Sequence, residues 1–346
     1  MIHYDLTIVG AGPAGSTLAR LLGKSGLRVL LIDGSAPGKS KPCGGLLAPD
    51  AQKALAGFDL SLPKSILVDP QIFSVKTIDL DADLVRYYSR FYVNMDREKF
   101  DRWLVSLVPN CVDILAARCT SIRRDRKGFV LRCDGMDIRS RMLVGADGAN
   151  SIVRRSFFPG DIMHYISIQQ WFPASETVSP FYSCIFDPIT SESCSWSIHK
   201  DGRFIYGGSF APAHCREKFE EQKRRIEGKY GMHFGEPIKT EACKVYRPRK
   251  MRDFQTGDRG VFLVGEAAGL ISPSSFEGIS SAIFSAKALA ESILSGGCIA
   301  KSYRRKTLKL RLRMYLKCYK RIFMYVPMLR RAVMRLGLMS IKVDTE

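Results

Sequence analysis

Three short apolar runs, each ending in a glycine turn, lie far apart in this chain. They cover residues 5–9, 141–145 and 260–264, and two helical stretches, 14–22 and 280–294, follow the first and last runs. Uninterrupted apolar runs of this length predict buried strands, whereas apolar positions recurring every three or four residues predict helices. The pattern therefore predicts an α/β fold in which glycine turns join strands to helices.

The first turn has the spacing of a dinucleotide-binding turn. Gly10 permits the tight bend, Gly12 leaves room for a pyrophosphate near the backbone, and Gly15 lets the helix pack closely on the strand. The phosphates would lie at the positive end of the helix dipole. Asp33 ends the next predicted strand, where its carboxylate can accept hydrogen bonds from ribose hydroxyls and disfavours a 2′-phosphate. The alternative is a glycine-rich turn without a ligand, and this turn alone does not distinguish NAD from FAD.

Two further turns favour FAD. Residues 145–148 include Asp147 next to glycine, and residues 265–269 again pair an acid with glycines. A simple nicotinamide dehydrogenase has no use for a second turn of acid and glycine, so the three turns together indicate FAD held along its length. Taken singly, each is also compatible with an ordinary strand-to-turn connection. Ser274 and Glu277 have the spacing of a capping box, which predicts the start of the helix over 280–294.

Beyond these turns, the chain resembles FAD-dependent oxidoreductases of the p-hydroxybenzoate hydroxylase fold, within them the geranylgeranyl reductase-like branch. The segments that carry the resemblance are 10–15, 41–50, 96–101, 144–155, 169–172, 195–198 and 265–278. The resemblance implies a Rossmann-like FAD-binding domain with an inserted antiparallel β-sheet substrate domain. It also implies an apolar or isoprenoid lipid substrate.

The resemblance further implies roles for individual residues toward FAD. Those expected at the cofactor are Gly10, Gly12, Pro13, Ala14 and Gly15 at the pyrophosphate, Asp33 at the adenosine ribose, Cys119 at the adenine, Arg97 at the pyrophosphate or ring edge, Asp147 in the second turn, Glu266 at the ribityl chain, Cys43, Gly44 and Gly45 beside the isoalloxazine ring, and Gly278 and Ile279 against that ring. Two positions depart from the family. Glu266 is one methylene longer than the usual Asp, and Gly269 replaces the His common in aromatic hydroxylases, as prenyl reductases do.

Segments 1–60, 90–155 and 255–300 are predicted to build a discontinuous FAD-binding domain. Segments 61–89 and 156–254 are predicted to form the substrate domain, and 301–346 a basic amphipathic helical tail. Predicted strands of the substrate domain are 166–172, 181–186, 195–198 and 204–206. We expect this antiparallel sheet to roof the flavin, and its aromatic residues either line an apolar pocket or pack a core.

The ten cysteines and five histidines give no sign of a metal site or a disulfide framework. No CxxC pair is present, and the first residues enter a predicted strand without a secretory signal. A reducing, cytoplasmic location is therefore expected. Cys43 is singled out because Pro42 and the two following glycines describe a loop that a ligand can approach closely. It is a candidate proton donor, and contact with FAD alone is the alternative.

Charge is concentrated in the tail. The whole chain has a formal net charge of +19, and residues 301–346 hold fourteen Lys and Arg against two acidic residues. Leucines and aromatic residues alternate with these charges, and no segment reaches the roughly 18 apolar residues that a spanning helix needs. This pattern predicts helices lying on an anionic inner membrane face. A solvated helical face is the alternative, and nucleic acid is disfavoured because nothing else resembles a nucleic-acid module.

These expectations combine into an FAD-dependent enzyme that reduces isolated double bonds of an isoprenoid lipid at a membrane surface. The electron donor stays open between NAD(P)H and a small redox protein, because no second dinucleotide turn is visible. One alternative is a flavin monooxygenase acting on an aromatic or apolar small molecule. A second is a non-catalytic, FAD-containing protein that binds polyprenyl lipid.

Overall fold

Two eight-stranded sheets organise the chain. The structure is a computed structural model that describes residues 2–35, 41–173, 181–231 and 233–343. The strands, in chain order, are β1 (Ile2–Val9), β2 (Val29–Asp33), β3 (Leu46–Leu47), β4 (Ile72–Asp79), β5 (Leu84–Asn94), β6 (Asp113–Ala116), β7 (Cys119–Asp125), β8 (Gly128–Cys133), β9 (Met136–Gly145), β10 (His164–Pro173), β11 (Tyr182–Phe186), β12 (Cys194–Lys200), β13 (Arg203–Phe210), β14 (Lys239–Tyr246), β15 (Gly257–Asp258) and β16 (Val261–Leu263). The α-helices are α1 (Pro13–Leu22), α2 (Pro49–Ala56), α3 (Arg97–Ser106), α4 (Ile152–Phe157), α5 (Cys215–Tyr230), α6 (Ile279–Leu294), α7 (Ile299–Lys306), α8 (Leu308–Tyr325) and α9 (Pro327–Arg335).

The first sheet contains the strands that end in the three glycine turns. Its order is β15-β16-β9-β1-β2-β6, and the β7–β8 hairpin extends it from β9. The strands from β16 to β6 in this order are parallel. Helices α1 and α6 pack on this sheet around buried aliphatic side chains such as Leu6, Leu18 and Leu289. The carboxyl ends of parallel strands meet at one edge, so this arrangement brings the turns together.

The second sheet has the order β14-β10-β13-β12-β11-β4-β5-β3. Its pairings are antiparallel except for the parallel pair of β4 with β11, which departs from the predicted antiparallel sheet. Between the β4–β5 hairpin and β11 the chain builds four strands of the first sheet, β6 to β9, and then β10 of the second sheet. Two strands joined through such a long connection need not run in opposite directions. The sheets thus draw their strands from alternating parts of the chain, and the domain boundaries stay a prediction.

The helical tail packs on both sheets. Tyr303 of α7 is fully buried and donates its hydroxyl hydrogen bond to the carbonyl of Leu263, 2.8 Å away. Met314 of α8 is buried in the core below the first sheet, and Arg330 of α9 pairs with Asp79 at the end of β4. Across the described ranges, each helix is too short or too polar to cross a bilayer.

Candidate functional site

The first glycine turn has the shape that a bound diphosphate requires. β1 ends at Val9, and Gly10 has a φ of +105°, which favours glycine. A Cβ at Gly15 would overlap the carbonyl oxygen of Gly10, whereas a Cβ at Gly12 would meet nothing within 4 Å. The turn therefore leaves open space at Gly12 while α1, which begins at Pro13, lies directly against it. This geometry fits a pyrophosphate at the amino end of α1.

Asp33 and Cys119 lie at one end of this site. Asp33 ends β2, and its carboxylate accepts a hydrogen bond from the backbone N–H of Ser35 at 3.0 Å. The N–H of Ala117 donates to the carbonyl of Asp33, which places the start of β7, and with it Cys119, beside the end of β2. A hydrogen bond with Cys133 and burial raise the pKa of the Cys119 thiol. The structure thus brings together the two residues expected at the adenosine.

The second turn touches the first. A Cβ at Gly10 would come within 2.7 Å of the carbonyl oxygen of Ala146. Asp147 accepts a hydrogen bond from the N–H of Ile152 at 2.7 Å through one carboxylate oxygen, while its other, buried oxygen has no partner among the described residues. Burial raises the pKa of this carboxyl. An unpartnered buried acceptor beside the diphosphate turn fits a ligand that donates a hydrogen bond there.

The third glycine turn, residues 265–269, lies against the first two. A Cβ at Gly148 would lie 3.9 Å from the Glu266 carboxylate, and one at Gly265 would lie 3.1 Å from the side chain of Ala14. Glu266 accepts a hydrogen bond from the N–H of Tyr246 at 3.0 Å through one oxygen, and its other oxygen forms an ion pair with Lys41. All three glycine turns therefore adjoin one another.

The predicted capping box is wrong. Helix α6 begins at Ile279 with Gly278 as its N-cap, and no side chain caps it. Ser274 instead shares a hydrogen bond with the hydroxyl of Ser272, and Glu277 accepts one from Ser275. The serines therefore stabilise the loop before the helix. The amino end of α6 has no side-chain cap in the described part of the chain, and the contact of Gly278 and Ile279 with FAD stays a prediction.

The Cys43 loop is joined to the third turn through Lys41. Burial opposes the charge of Lys41, but the carboxylate of Glu266 outweighs it and raises the Lys41 pKa. A Cβ at Gly44 would contact the ring of Trp196 at 3.6 Å. The amide N–H of Gly45 donates to the sulfur of Cys43 at 3.4 Å. The loop is thus held between the glycine turns and β12 of the second sheet.

A cavity of about 400 Å³ opens beside this loop. Its lining residues are Lys41, Cys43, Gly45, Val68, Met95, Asp96, Arg97, Glu98, Gln169, Trp171, Lys200, Asp201, Arg203, Lys239 and Glu241. Arg97 forms an ion pair with Asp101 at 3.0 Å. Burial disfavours the charge of Arg97, but Asp101 and the thiolate form of Cys43 outweigh it and raise its pKa. The structure thus brings Arg97 and Cys43 to the same cavity.

This cavity is more polar than the predicted pocket. Trp171 is its only aromatic lining residue in the described parts of the chain. Phe172, Phe204 and Tyr206 instead pack in a core between the second sheet and α5. Helix α5 covers that face of the sheet, so core packing is the alternative that the structure shows for these three residues.

Four polar contacts of this region were not assigned from the sequence. These contacts are hydrogen bonds to Glu266 from Lys41 and from the backbone of Tyr246, a hydrogen bond from Lys200 to the Cys43 loop, and the lining of the cavity by Glu241. For Lys200 a sequence signal existed, because residues four apart on a strand share a face and Trp196 lies in the segment 195–198, which carries the family resemblance. The binding roles of all these residues toward FAD stay predictions.

Comparison of the sequence with known proteins shows a matching family and relatives that are similar over nearly the whole chain. The family described as lycopene cyclase protein matches residues 5–161. "Protein CbrA" of Escherichia coli O6:H1 is 44% identical over 99% of this chain and 95% of its own length. The protein of the same name from Shigella sonnei is also 44% identical, over 99% of both chains.

Solved structures share the fold at lower identity. A geranylgeranyl bacteriochlorophyll reductase-like protein from Thermoplasma acidophilum has a TM-score of 0.78 at 20% identity, covering 97% of this chain and all of its own. PqsL, a probable FAD-dependent monooxygenase from Pseudomonas aeruginosa, has a TM-score of 0.73 at 19% identity, covering 97% and 99%. These similarities confirm the predicted fold class, that of FAD-dependent oxidoreductases.

Proposed function

This chain belongs to the CbrA family, and from that premise we propose that it is an FAD-dependent oxidoreductase that reduces isolated double bonds of an isoprenoid lipid at a membrane surface. The observation that carries the proposal is the meeting of three glycine turns with the Cys43 loop. Asp33 lies at one end of this site and Cys43 at the other. We propose that an extended FAD lies between them.

Residues of this chain would hold FAD along its length. Gly12 and the amino end of α1 receive the diphosphate, and Asp33 receives the adenosine ribose. Glu266 accepts hydrogen bonds from the ribityl chain in exchange for, or together with, its contact to Lys41. The amino end of α6 stabilises negative charge on the ring. When bound and reduced, FAD supplies the hydride that one alkene carbon receives.

The chain's own task is positioning and proton transfer. The thiol of Cys43 gives a proton to the second alkene carbon, and its sulfur keeps the electron pair. Water from the cavity then returns a proton to the sulfur. The Gly45 N–H, 3.4 Å from that sulfur, stabilises the negative charge in the meantime. NAD(P)H or a small redox protein supplies the electrons.

A monooxygenase is the second candidate function. It is favoured by the polar lining of the cavity, which suits a small polar aromatic substrate as well as a lipid head group. Solved monooxygenases with the same fold have TM-scores near that of the reductase-like protein, among them PnpA of Pseudomonas putida at 0.74 and 16% identity. At such identities the likeness shows the fold alone.

The membrane part of the proposal is supported by the exposed face of α8. Leu308, Leu312, Leu316, Tyr319 and Phe323 are each between 45% and 63% exposed. Their spacing places them within one stripe along the helix. The opposite face holds Met314 and packs into the core. We name this stripe the α8 apolar face.

Basic residues lie beside the α8 apolar face. Lys309 and Lys320 are exposed on α8, and neither has an acidic partner among the described residues. Each basic side chain near an anionic lipid surface contributes on the order of 1 kcal/mol. An exposed apolar stripe with unpaired cations beside it suits an anionic bilayer better than a neutral partner.

Anaerobic reduction of lipids tests the reaction. FAD-loaded protein is reduced with dithionite, freed of excess reductant and incubated with membrane lipid extract, and the lipids are measured by mass spectrometry. Reductase activity yields isoprenoid species heavier by two hydrogens, and oxidised protein yields none. If no lipid gains hydrogen but oxygen consumption is coupled to hydroxylation of an aromatic compound, the monooxygenase is correct. If neither reaction occurs and polyprenyl lipid co-purifies, the protein is a binder.

A variant tests the role of Cys43. Cys43→Ser should retain its flavin and lose most of the lipid reduction. Unchanged turnover with unchanged flavin content would remove the proton-transfer role.

Vesicle sedimentation tests the membrane surface. We expect full-length protein to pellet with vesicles of three parts phosphatidylcholine and one part phosphatidylglycerol, and the triple variant Leu312→Ser/Leu316→Ser/Phe323→Ser to stay in the supernatant. Phe73→Ser/Phe91→Ser is the matched control, because both residues are more than 60% exposed on the second sheet and neither belongs to the α8 apolar face. Equal pelleting of the two variants would contradict the proposal. Point variants are preferable to truncation, since the tail also buries Tyr303 and Met314.

A further inference from the structure

Lys200 is a buried cation at the floor of the cavity. It ends β12 and is only 5% exposed. Its ammonium donates hydrogen bonds to the carbonyl of Gly45 at 3.1 Å, the side-chain oxygen of Asn94 at 2.6 Å and the carbonyl of Met95 at 2.7 Å. All three acceptors are neutral. The ammonium is therefore fully hydrogen-bonded by neutral groups. The carboxylates of Asp96 and Asp201 favour its charged form, but neither forms an ion pair with it in the described part of the chain.

Three other cations of the cavity are paired with carboxylates, whereas a fourth, Arg203, is exposed to solvent. Lys41 pairs with Glu266, Arg97 with Asp101, and Lys239 with Glu241 at 2.7 Å. Burying an unneutralised charge is costly, so such groups in proteins commonly serve a site. Burial lowers the pKa of Lys200 to about 8, which still leaves it mostly protonated at neutral pH.

The contacts of Lys200 converge on the Cys43 loop. Gly45 receives the ammonium at its carbonyl and donates its own N–H to the sulfur of Cys43 at 3.4 Å. Gly45 has a φ of +62°, and a Cβ there would overlap both Lys200 and the carbonyl of Met95. Lys200 thus joins the loop to the start of α3, which carries Arg97. A thiolate at Cys43 favours the charged form of Lys200, so the two groups interact electrostatically.

We propose that Lys200 is a positioning residue for the proposed reaction, fixing the Cys43 loop against the start of α3 and stabilising the thiolate that remains after proton transfer. This inference rests on the proposed function. In the step concerned, the S–H bond of Cys43 breaks, a C–H bond forms at the substrate carbon, and the electron pair stays on sulfur. Water then reprotonates the sulfur. The ammonium of Lys200 keeps its own protons throughout.

Thiol reactivity tests the proposal without relying on turnover. FAD-loaded wild type and variants are treated with iodoacetamide between pH 6 and 9.5, and alkylation of Cys43 is followed by peptide mass spectrometry. Lys200→Met should slow alkylation of Cys43 at neutral pH by about tenfold and move its pH profile upward, as expected when a nearby opposite charge is removed. Lys200→Arg should restore most of the reactivity.

Two more variants complete the test. Lys239→Met is the matched control, because this residue lines the same cavity but its side chain is 47% exposed, so solvent screens the change in charge and the reactivity of Cys43 should change little. Lys200→Gln removes the charge but keeps a donor for the Gly45 carbonyl, so it tests the charge if the methionine variant does not fold. The neighbouring Lys41, Arg97 and Cys243 are unchanged in every variant, and the effect is read as the difference between profiles.

The possible results separate the two proposals. A wild-type profile in the charge-removing variants would overturn the role of Lys200. A shifted profile in a protein that reduces no isoprenoid lipid would refute the proposed function but leave the interaction of Lys200 with Cys43 standing.

Discussion

Asp79 attaches the last helix to the second sheet, and replacing it should destabilise the protein strongly. Asp79 is fully buried and accepts hydrogen bonds from Arg330 at 2.7 and 2.9 Å and from Arg331 at 3.3 Å. Arg330 is only 5% exposed, and its guanidinium lies 4.7 Å from the centre of the Phe186 ring. The N–H of Ala82 donates to the other oxygen of Asp79 at 3.0 Å.

The expected loss of unfolding free energy follows from the burial of Asp79 and Arg330. Asp79→Asn keeps the shape and an acceptor for Ala82 but leaves the guanidinium of Arg330 buried without a counter-charge, which costs about 3–5 kcal/mol. Asp81→Asn is the matched control, because among the described residues Asp81 pairs only with Arg331, and its side chain is 39% exposed, so loss of its charge should cost under about 1 kcal/mol. The double variant Asp79→Asn/Arg330→Met should be more stable than Asp79→Asn alone, since it leaves no buried charge.

Urea unfolding of the FAD-loaded protein, followed by circular dichroism, measures these differences. The reasoning is refuted if Asp79→Asn and Asp81→Asn have the same unfolding midpoint, or if the double variant is the least stable of the three. The pH dependence supplies a second check. Burial opposes the charge of Asp79, but the Ala82 N–H and Arg330 outweigh it, so the folded-state pKa is lowered.

The lowered folded-state pKa of Asp79 determines the direction in which stability changes with pH. The stabilisation by Asp79 is fully present above the unfolded pKa of about 3.9 and is lost as the pH falls through the lower folded value. The difference in unfolding free energy between wild type and Asp79→Asn should therefore shrink below about pH 4.

Three further predictions concern the cofactor site. Gly15→Ala places a Cβ on the backbone of its own turn and should abolish flavin binding, read as the flavin-to-protein absorbance ratio; Gly228→Ala, with nothing within 4 Å, should leave that ratio unchanged. Glu266→Gln leaves Lys41 without its counter-charge and should weaken FAD binding by roughly 10- to 100-fold in fluorescence titrations of apoprotein, and equal affinity would exclude a contact. The pKa of Lys200 is lowered in the folded state, so the unfolded chain binds more protons than the folded one from pH 8 to about 10.5. The unfolding free energy of wild type should therefore rise with pH in this range relative to that of Lys200→Met. Parallel plots of unfolding free energy against pH would contradict this.

The local part of the fold could be predicted from the sequence, because each strand, turn and helix has its pattern within a short window. The strand at Ile2–Val9 and the helix at Pro13–Leu22 lie within a few residues of their expected bounds. The capping box at Ser274 failed for a local reason, since serines and acids also stabilise loops. The sequence left open whether Phe172, Phe204 and Tyr206 line a pocket or pack a core, because α5, which covers that face of the second sheet, was not among the predicted helices.

Long-range pairs could not be predicted in this way. Lys41 meets Glu266 across 225 residues, and Lys200 meets Gly45 across 155. No periodicity connects such positions, and a charged residue in a polar context is usually solvated. The sequence therefore predicted which segments would hold the proposed cofactor, whereas the polar contacts that orient the Cys43 loop required the structure.

Long-range ion pairs also change how many charges of the tail are available to an external partner. The sequence pattern predicts that the fourteen basic residues of the tail lie on one amphipathic surface. Four of them instead form ion pairs within the protein: Arg330 and Arg331 with Asp79, Arg313 with Asp50, and Lys306 with Glu291. Attraction to anionic lipid is thus weaker than the net charge suggests. In the proposed membrane association, the α8 apolar face, whose exposure no internal partner explains in the described part of the chain, then has to supply most of the binding free energy. We therefore expect the proposed association to depend more on the α8 leucines and Phe323 than on ionic strength.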